Sequence, residues 1–207
     1  MSKPEKLEYG CFYHIYNRGT NSQNIFFEKR NYLHFLKLYT KNMLLVADTH
    51  AYCLLKNHFH FAARIKTEEE IEKAIQEIKP AQPFQKLPDP SQQFGNVCNA
   101  YAKAINRAYG RTGSLFEHPF GRKPVSSDRY YYNLIIYIHR NPQLHGFVED
   151  FRDWPWSSYG AILSDKVTRL QRSAVLGWFD DRSAFCTAHE HAPDEKLITH
   201  LIMDDFL

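Results

Sequence analysis

An apolar stretch near the start of the chain carries two histidines separated by one bulky residue. It runs from Ala51 to Ile65 and contains His58-Phe59-His60. In a β-strand, side chains two positions apart project from the same face, about 7 Å apart. A strand here would bury Phe59 in a core and present His58 and His60 together as neutral nitrogen ligands for a metal ion. Taken alone, the pattern fits two solvated or core-packed histidines equally well.

Length and charge limit the class of protein. The 207 residues suit one domain, or one domain with an appended segment. A net charge of +3 excludes a histone-like, purely electrostatic nucleic-acid binder, so any basic surface must be local. The 13 tyrosines and 15 phenylalanines serve core packing, and they also offer surfaces on which unpaired bases stack.

Cysteine usage and hydropathy indicate the compartment. Cys11, Cys53, Cys98 and Cys186 form no C-x-x-C pair, which argues against a disulfide framework and a zinc knuckle. Neither a signal sequence nor an apolar run of about 18 residues is present. We therefore expect a reduced, cytoplasmic protein that does not cross a membrane.

The order of predicted elements favours a mixed fold. A strand, a helix, a two-strand hairpin and a further helix precede a proline-rich loop, and two more helices flank an extended segment before the C-terminal part. The predicted bounds are, in order, 10–16, 28–45, 51–55 with 58–65 as a hairpin or one bent strand, 68–78, a loop at 79–91, 94–109, 114–125 and 128–140. Asn141-Pro142 is expected to close the last of these helices, and a loop and one or two helices follow. This order predicts an α+β protein with a ferredoxin-like antiparallel sheet and helices packed on it.

The helix that starts near Asp128 carries a polar stripe. Its members recur at steps of three and four and lie opposite an apolar face: Tyr130, Asn133, Tyr137 and Asn141 against Leu134, Ile135 and Ile138. A divalent cation held by two histidines and the Asn141 carbonyl oxygen would leave sites open for phosphate oxygens, which suits manganese or magnesium. Such a cation would let a tyrosine hydroxyl attack a phosphodiester near neutral pH. Half-buried packing tyrosines would produce the same stripe.

Several motifs in order resemble the single-tyrosine HUH transposases, most closely their REP-associated tyrosine transposase branch. The motifs are Ala51-Tyr52-Cys53-Leu54-Leu55-Lys56-Asn57-His58-Phe59-His60, Tyr137-Ile138-His139-Arg140-Asn141-Pro142, Trp154-Pro155-Trp156-Ser157-Ser158-Tyr159, His14-Ile15-Tyr16-Asn17-Arg18-Gly19, and Asn106-Arg107 with Gly113-Ser114-Leu115-Phe116. The resemblance covers residues 10 to 160. It implies a catalytic domain over 1–160 with a C-terminal helical extension, 161–207, packed on it.

The resemblance also implies an activity and its residues. Tyr137 would cleave single-stranded DNA at hairpin-containing repeat or element ends and rejoin it through a 5′-phosphotyrosine link. His58, His60 and Asn141 would bind the Mg²⁺ or Mn²⁺ ion. Its partner would be single-stranded DNA with a hairpin, and the protein would act as a monomer or a homodimer.

Six basic residues are candidates for DNA contacts. Arg107, Arg111, Arg122 and Lys123 flank an aromatic segment suited to backbone contacts and stacking, and an ordinary solvated loop is the alternative. Arg18 and Lys56 lie beside the first strand and the histidine strand, where they would contact phosphate or simply belong to turns.

Two other functions fit the sequence. One is a domesticated hairpin-DNA-binding protein without transposition activity. The other is a metallohydrolase in which His118 or His139 completes a zinc set, although His139 would face away from Tyr137 on a helix.

Overall fold

A computed structural model describes residues 5–78 and 86–192 of the chain. Its strands are β1 (Phe12–Arg18), β2 (Ala47–Leu54), β3 (His58–Ile65) and β4 (Gly121–Pro124). Its helices are α1 (Lys29–Met43), α2 (Glu68–Ile78), α3 (Pro90–Ala108), α4 (Asp128–Leu144), α5 (Tyr159–Leu163), α6 (Arg172–Trp178) and α7 (Arg182–Glu190).

The four strands form one antiparallel sheet in the order β2-β3-β1-β4. β1 and β3 are central, and the crossover through α1 separates β1 from the β2-β3 hairpin. The predicted α+β fold with a ferredoxin-like sheet is confirmed. In the part of the chain covered by the structure, no helix is long and apolar enough to cross a membrane.

Alternation along β3 divides the protein into two layers. Phe59 and Phe61 are fully buried in the core that α1 and α3 form on one face of the sheet. His58, His60 and Ala62 face α4 on the other side. The predicted separation of Phe59 from the two histidines follows from the two-residue period of a strand.

Aromatic side chains dominate the first layer. The predicted stripe of α1 is buried, with Phe35 at 0% exposure, and Phe35 packs on Phe59 and edge-on to Tyr101 of α3. Fully burying one such side chain contributes about 1.5–3 kcal/mol. This layer therefore holds the back of β3 rigidly, which fixes the backbone that carries His58 and His60.

The second layer covers the histidine face with α4 and the C-terminal segment. Leu134, Ile135 and Ile138 are fully buried, as the apolar face predicts. The polar stripe is buried as well, because Tyr137 is 1% exposed and Asn141 is 0% exposed. α4 lies between the sheet and α7, so it is buried around most of its circumference.

The predicted loop at 79–91 is wrong at its end, because α3 begins at Pro90 rather than near Phe94. Proline fits the first helical position, where no N–H partner is needed. Asp89 caps this turn by accepting hydrogen bonds from the backbone N–H groups of Ser91 at 2.8 Å and Gln92 at 3.2 Å. Residues 79–85 lie outside the described residues.

The prediction that Asn141-Pro142 closes α4 is also wrong, since the helix continues to Leu144. Pro142 removes only its own bond to the carbonyl one turn earlier, close to the helix end. The next turn is kept by hydrogen bonds from the His145 N–H to the Asn141 carbonyl and from the Phe147 N–H to the Pro142 carbonyl.

The C-terminal part holds more helix than predicted. Between residues 159 and 190 the structure has α5, α6 and α7 where one or two helices were predicted. α5 spans five residues, which is too short for a 3.6-residue period to be recognised in the sequence.

A bulge in β2 directs His50 onto α4. The pairing with β3 shifts register between Thr49 and Ala51, and the His50 Nδ1 lies 2.7 Å from the Tyr131 hydroxyl. Burial lowers the pKa of His50 to about 4. Below pH 6.5 the unfolded chain binds a proton here that the folded chain does not bind until about pH 4, so stability is lost as the pH falls through this window.

We expect His50→Asn, which keeps a polar atom near the Tyr131 hydroxyl, to flatten this pH dependence. The fall in unfolding free energy between pH 7 and pH 4.5 should be smaller by about 2–3 kcal/mol than in the wild type. Urea unfolding at both pH values measures the difference. An equal fall in the two proteins would contradict the prediction.

Candidate active site

The two histidines of β3 lie under α4 at one end of the sheet. His58 is 7% exposed and His60 is 1% exposed, and their rings meet edge to face with centroids 5.1 Å apart. In the pairing of β1 with β3, Arg18 lies opposite His58 and Tyr16 opposite His60. The predicted common orientation of the two imidazoles is therefore present, on a buried face.

Asn141 of α4 reaches the first histidine. Its Oδ1 lies 3.0 Å from the Nε2 of His58, and the His58 Nδ1 lies 2.8 Å from the Asn57 Oδ1. If Nδ1 donates to Asn57, a neutral His58 presents a lone pair at Nε2. That lone pair faces the carbonyl oxygen of Asn141, and two acceptors at this distance repel each other unless a cation or a proton lies between them.

The second histidine is oriented from β1. The Nε2 of His14 lies 2.9 Å from the Nδ1 of His60, and the two rings stack with centroids 5.1 Å apart. A partner at Nδ1 fixes the rotation of the ring and directs the Nε2 of His60 as the potential ligand atom.

Tyr137 completes the group. Its ring meets His60 edge to face at 5.6 Å and His14 at 6.4 Å between centroids. Asn141 follows it by one helical turn, so both side chains lie on the face of α4 that meets β3. The structure thus brings together Tyr137, His58, His60 and Asn141, the four residues that the sequence singled out.

Burial keeps the two histidines neutral. Loss of solvent, with a smaller contribution from the nearby His145, lowers the pKa of His58 to about 3. Burial also lowers the pKa of His60 well below its usual value, and His58 acts in the same direction. Neutral imidazoles are the form that binds metal ions.

The alternative zinc set does not form. Within residues 5–78 and 86–192, no three His, Cys, Asp or Glu side chains are arranged to hold a metal ion. Both ring nitrogens of His139 lie 2.8 Å from other side chains, those of His189 and Ser158. His118 is exposed. A polar atom of α4 that does lie against the β3 histidines is the Asn141 Oδ1, 3.0 Å from the His58 Nε2.

Three of the six basic candidates lie near the histidines. Arg18 pairs with His58 in the sheet and forms an ion pair with Glu117 at 2.7 Å. Lys56 precedes His58 by two residues, and its ammonium lies 5.9 Å from the Phe147 ring centroid. Lys123 of β4 lies opposite His14, and its ammonium is 5.9 Å from the Tyr16 ring centroid.

The other three lie elsewhere. Arg107 is exposed in the last turn of α3. Arg111 donates two hydrogen bonds to the Gln23 Oε1 at 3.2 Å. Arg122 stacks on the Phe120 ring at 3.6 Å and donates to the Glu5 carbonyl at 2.9 Å, so its guanidinium is committed to packing.

Sequence reasoning assigned no role to His14, Asn57 or His145. His145 meets the His58 ring at 4.7 Å between centroids. A signal existed for two of them. His14 and Tyr16 are two positions apart in a strand, as His58 and His60 are, so they share a face of the sheet. His145 follows Asn141 by four residues, as Asn141 follows Tyr137. The contact of Asn57 with His58 depends on the hairpin turn, which periodicity does not describe.

Comparisons with known proteins agree with the motifs. The chain is 28% identical over 113 residues to a Haemophilus influenzae protein that carries the provisional name REP-associated tyrosine transposase. The match covers 54% of this chain, which thus spans 58% of the length of that relative. No family model matches the chain.

A solved structure shares the fold. A REP-associated tyrosine transposase bound to a REP hairpin superimposes with a TM-score of 0.59 at 15% sequence identity, covering 80% of this chain and 87% of the other. The resemblance to REP-associated tyrosine transposases that the motifs indicated is confirmed.

Proposed function

We propose that this chain, like the REP-associated tyrosine transposases it resembles, cleaves and rejoins single-stranded DNA at hairpin-containing repeat or element ends. Tyr137 is the nucleophile, and His58, His60 and Asn141 hold a Mg²⁺ or Mn²⁺ ion. The observation that carries the proposal is the 3.0 Å contact between His58 Nε2 and Asn141 Oδ1, one helical turn from Tyr137.

The donor set fits a small divalent cation. The His58 Nε2 and the Asn141 Oδ1 lie 3.0 Å apart, and a small divalent cation held by both would replace any repulsion between their lone pairs by attraction to each. The Asn141 Nδ2 is buried and makes no hydrogen bond among the described residues, so no other contact opposes this use of the amide oxygen.

The residues and the ion divide the chemistry between them. When bound, the cation polarises the scissile phosphate and stabilises the oxygen that leaves. The Tyr137 oxygen bonds to phosphorus as the bond from phosphorus to the 3′ oxygen breaks. The phenol gives up its proton, and the departing 3′ oxygen takes one up.

The product explains how strands are rejoined. Cleavage leaves a 5′-phosphotyrosine link and a free 3′-hydroxyl. Attack by that hydroxyl, or by another 3′-hydroxyl, restores the tyrosine and a phosphodiester. One phosphodiester replaces another, so the reaction needs no ATP.

DNA contacts follow from the basic residues. Arg18, Lys56 and Lys123 lie around the histidine end of the sheet, where they neutralise phosphates next to the scissile bond. Arg107 and Arg111 lie at the end of α3 and reach the hairpin farther from the reacting phosphate. Arg122 contributes least, because its donors already serve Glu5 and Ser91.

One observation favours the binding-only alternative. Tyr137 is 1% exposed, so a phosphate reaches its hydroxyl only after neighbouring side chains move. If that opening does not occur, the chain binds hairpin DNA and leaves it uncut.

The test is to incubate the purified protein with Mn²⁺ and single-stranded hairpins from the DNA flanking its gene. Each hairpin is labelled once at the 3′ end and once at the 5′ end. We expect a slow-migrating protein adduct on a denaturing gel only with the 3′ label, because tyrosine retains the 5′ phosphate. The 5′ label should appear in a short fragment that ends in a 3′-hydroxyl.

The two labels separate the candidate functions. Binding in a native gel with no adduct and no fragment, across several hairpins and both metals, would support the binding-only function. Fragments without an adduct would point to hydrolysis by a water molecule and would contradict the tyrosine mechanism.

A further inference from the structure

A buried chain of hydrogen bonds lies behind the tyrosine helix. His139 sits between Tyr137 and Asn141 in the sequence but points to the opposite side of α4. Its Nδ1 lies 2.8 Å from the Nε2 of His189 on α7, and its Nε2 lies 2.8 Å from the Oγ of Ser158. All three side chains are 0% exposed.

The direction of each bond follows from the ends of the chain. The Phe185 carbonyl accepts from the His189 Nδ1 at 2.7 Å, and the Ser158 Oγ accepts from the Tyr52 backbone N–H at 2.8 Å. The His189 Nδ1 donates this bond to Phe185, and burial lowers the pKa of that ring to about 4, so its Nε2 accepts. His139 therefore donates from Nδ1 to His189, and the Ser158 hydroxyl donates to the His139 Nε2.

Further contacts connect the two ends of the chain to α4 and the sheet. Arg140 Nη1 donates to the His189 carbonyl at 2.5 Å, so two consecutive residues of α4 are held by the last turn of α7. At the other end, the Ser158 N–H donates to the Tyr52 carbonyl of β2 at 2.9 Å. The residue after Tyr52 in β2, Cys53, pairs with His60 of β3.

We infer that the His189–His139–Ser158 chain positions the catalytic face of α4, which carries Tyr137 and Asn141, over the histidine strand β3. This inference rests on the proposed function and makes α7 part of the active-site architecture. Apolar packing alone is non-directional and tolerates small rotations of a helix. A fully satisfied buried polar network specifies one arrangement.

The consequence is kinetic rather than a change in DNA affinity. His189, His139 and Ser158 lie on the side of α4 that faces away from His58 and His60 of β3. Their loss therefore removes no DNA contact proposed above. A displacement of about 1 Å at a reacting group costs on the order of 10²-fold in rate. Weakening the chain should therefore reduce cleavage and leave hairpin binding intact.

The test compares three variants of the full-length protein. His189→Leu removes the acceptor, and His189→Gln supplies an amide oxygen in its place. Val175→Ala is the matched control, because Val175 is fully buried in the same core cluster but takes no part in the chain. Single-turnover cleavage at saturating hairpin and Mn²⁺, the hairpin Kd and the Tm are measured for each.

We expect His189→Leu to lower the cleavage rate by about 10- to 100-fold with an unchanged Kd. His189→Gln should recover most of the rate. Val175→Ala should cleave at the wild-type rate even if its Tm falls as much as that of His189→Leu. Equal rates for the Leu and Gln variants, or losses that simply follow the Tm in all three, would overturn the inference.

Amide hydrogen exchange separates this inference from the proposed function. Exchange of residues 133–141 in the DNA-free protein should rise in His189→Leu and stay near wild type in His189→Gln. If wild-type protein does not cleave DNA, the proposed function fails, and exchange still decides whether the chain positions α4. Unchanged exchange in His189→Leu would overturn the positioning role even if cleavage is present.

Discussion

Replacing the nucleophile, Tyr137→Phe, is expected to abolish the covalent DNA adduct and strand cleavage while hairpin binding persists. The change removes one oxygen atom and keeps the ring that packs against His60 and His14. Loss of a nucleophile commonly lowers the rate by about 10⁴-fold or more, so no product should be visible on a denaturing gel. A native gel with the same hairpin measures the retained binding.

Tyr132→Phe is the matched control for this experiment. Tyr132 lies on the same helix but packs on Phe179, away from the histidines, with ring centroids 4.5 Å apart. It should cleave at the wild-type rate. Cleavage that persists in Tyr137→Phe would remove Tyr137 from its assigned role, and loss in both variants would indicate damage to α4 rather than loss of a nucleophile.

Removing the two ligands together, His58→Ala with His60→Ala, is expected to abolish metal-dependent cleavage and leave the fold intact. Both imidazoles are neutral nitrogen donors, so their loss leaves Asn141 as the one remaining protein ligand of the proposed set. His60 is 1% exposed and bonded to His14, so the change costs about 1–3 kcal/mol from this broken contact. Isothermal titration with Mn²⁺, cleavage assays and thermal unfolding measure the three effects.

Two controls accompany the double variant. His34→Ala with His118→Ala removes two exposed histidines and should change neither Mn²⁺ binding nor cleavage. Addition of EDTA to the wild type should stop cleavage, and added Mn²⁺ should restore it. The Tm should fall only by the amount that the bound ion contributes to stability, so the protein stays folded. Global unfolding of the His58/His60 variant would instead assign these histidines to the core, and undiminished cleavage would exclude them as ligands.

Local periodicity accounts for what the sequence by itself determined. The two-residue period of β3 places His58 and His60 on one face and Phe59 on the other. The four-residue step from Tyr137 to Asn141 places both on one face of a helix. The order of strands and helices was sufficient for the sheet class, because short connections leave few ways to assemble it.

Helix ends were less predictable because proline has two effects. At Pro90 and Pro142 the general rule excludes helix, yet the first helical position needs no N–H, and one lost bond near the last turn is tolerated. Whether a helix tolerates the hydrogen bond that proline cannot donate depends on caps and neighbouring residues, such as Asp89 before α3. These contacts exist only in the folded chain.

Only the tertiary structure decided which distant residues complete the site. His14 comes from β1, the Asn57 contact from a turn, and the His189–His139–Ser158 chain from three separate segments. The burial of α4 on both sides likewise placed its polar stripe in the interior, which the spacing of the residues does not specify. Periodicity describes neighbours within one element, whereas the His14–His60, His139–His189 and His139–Ser158 contacts join residues 19 to 50 positions apart and arise from the packing of whole layers.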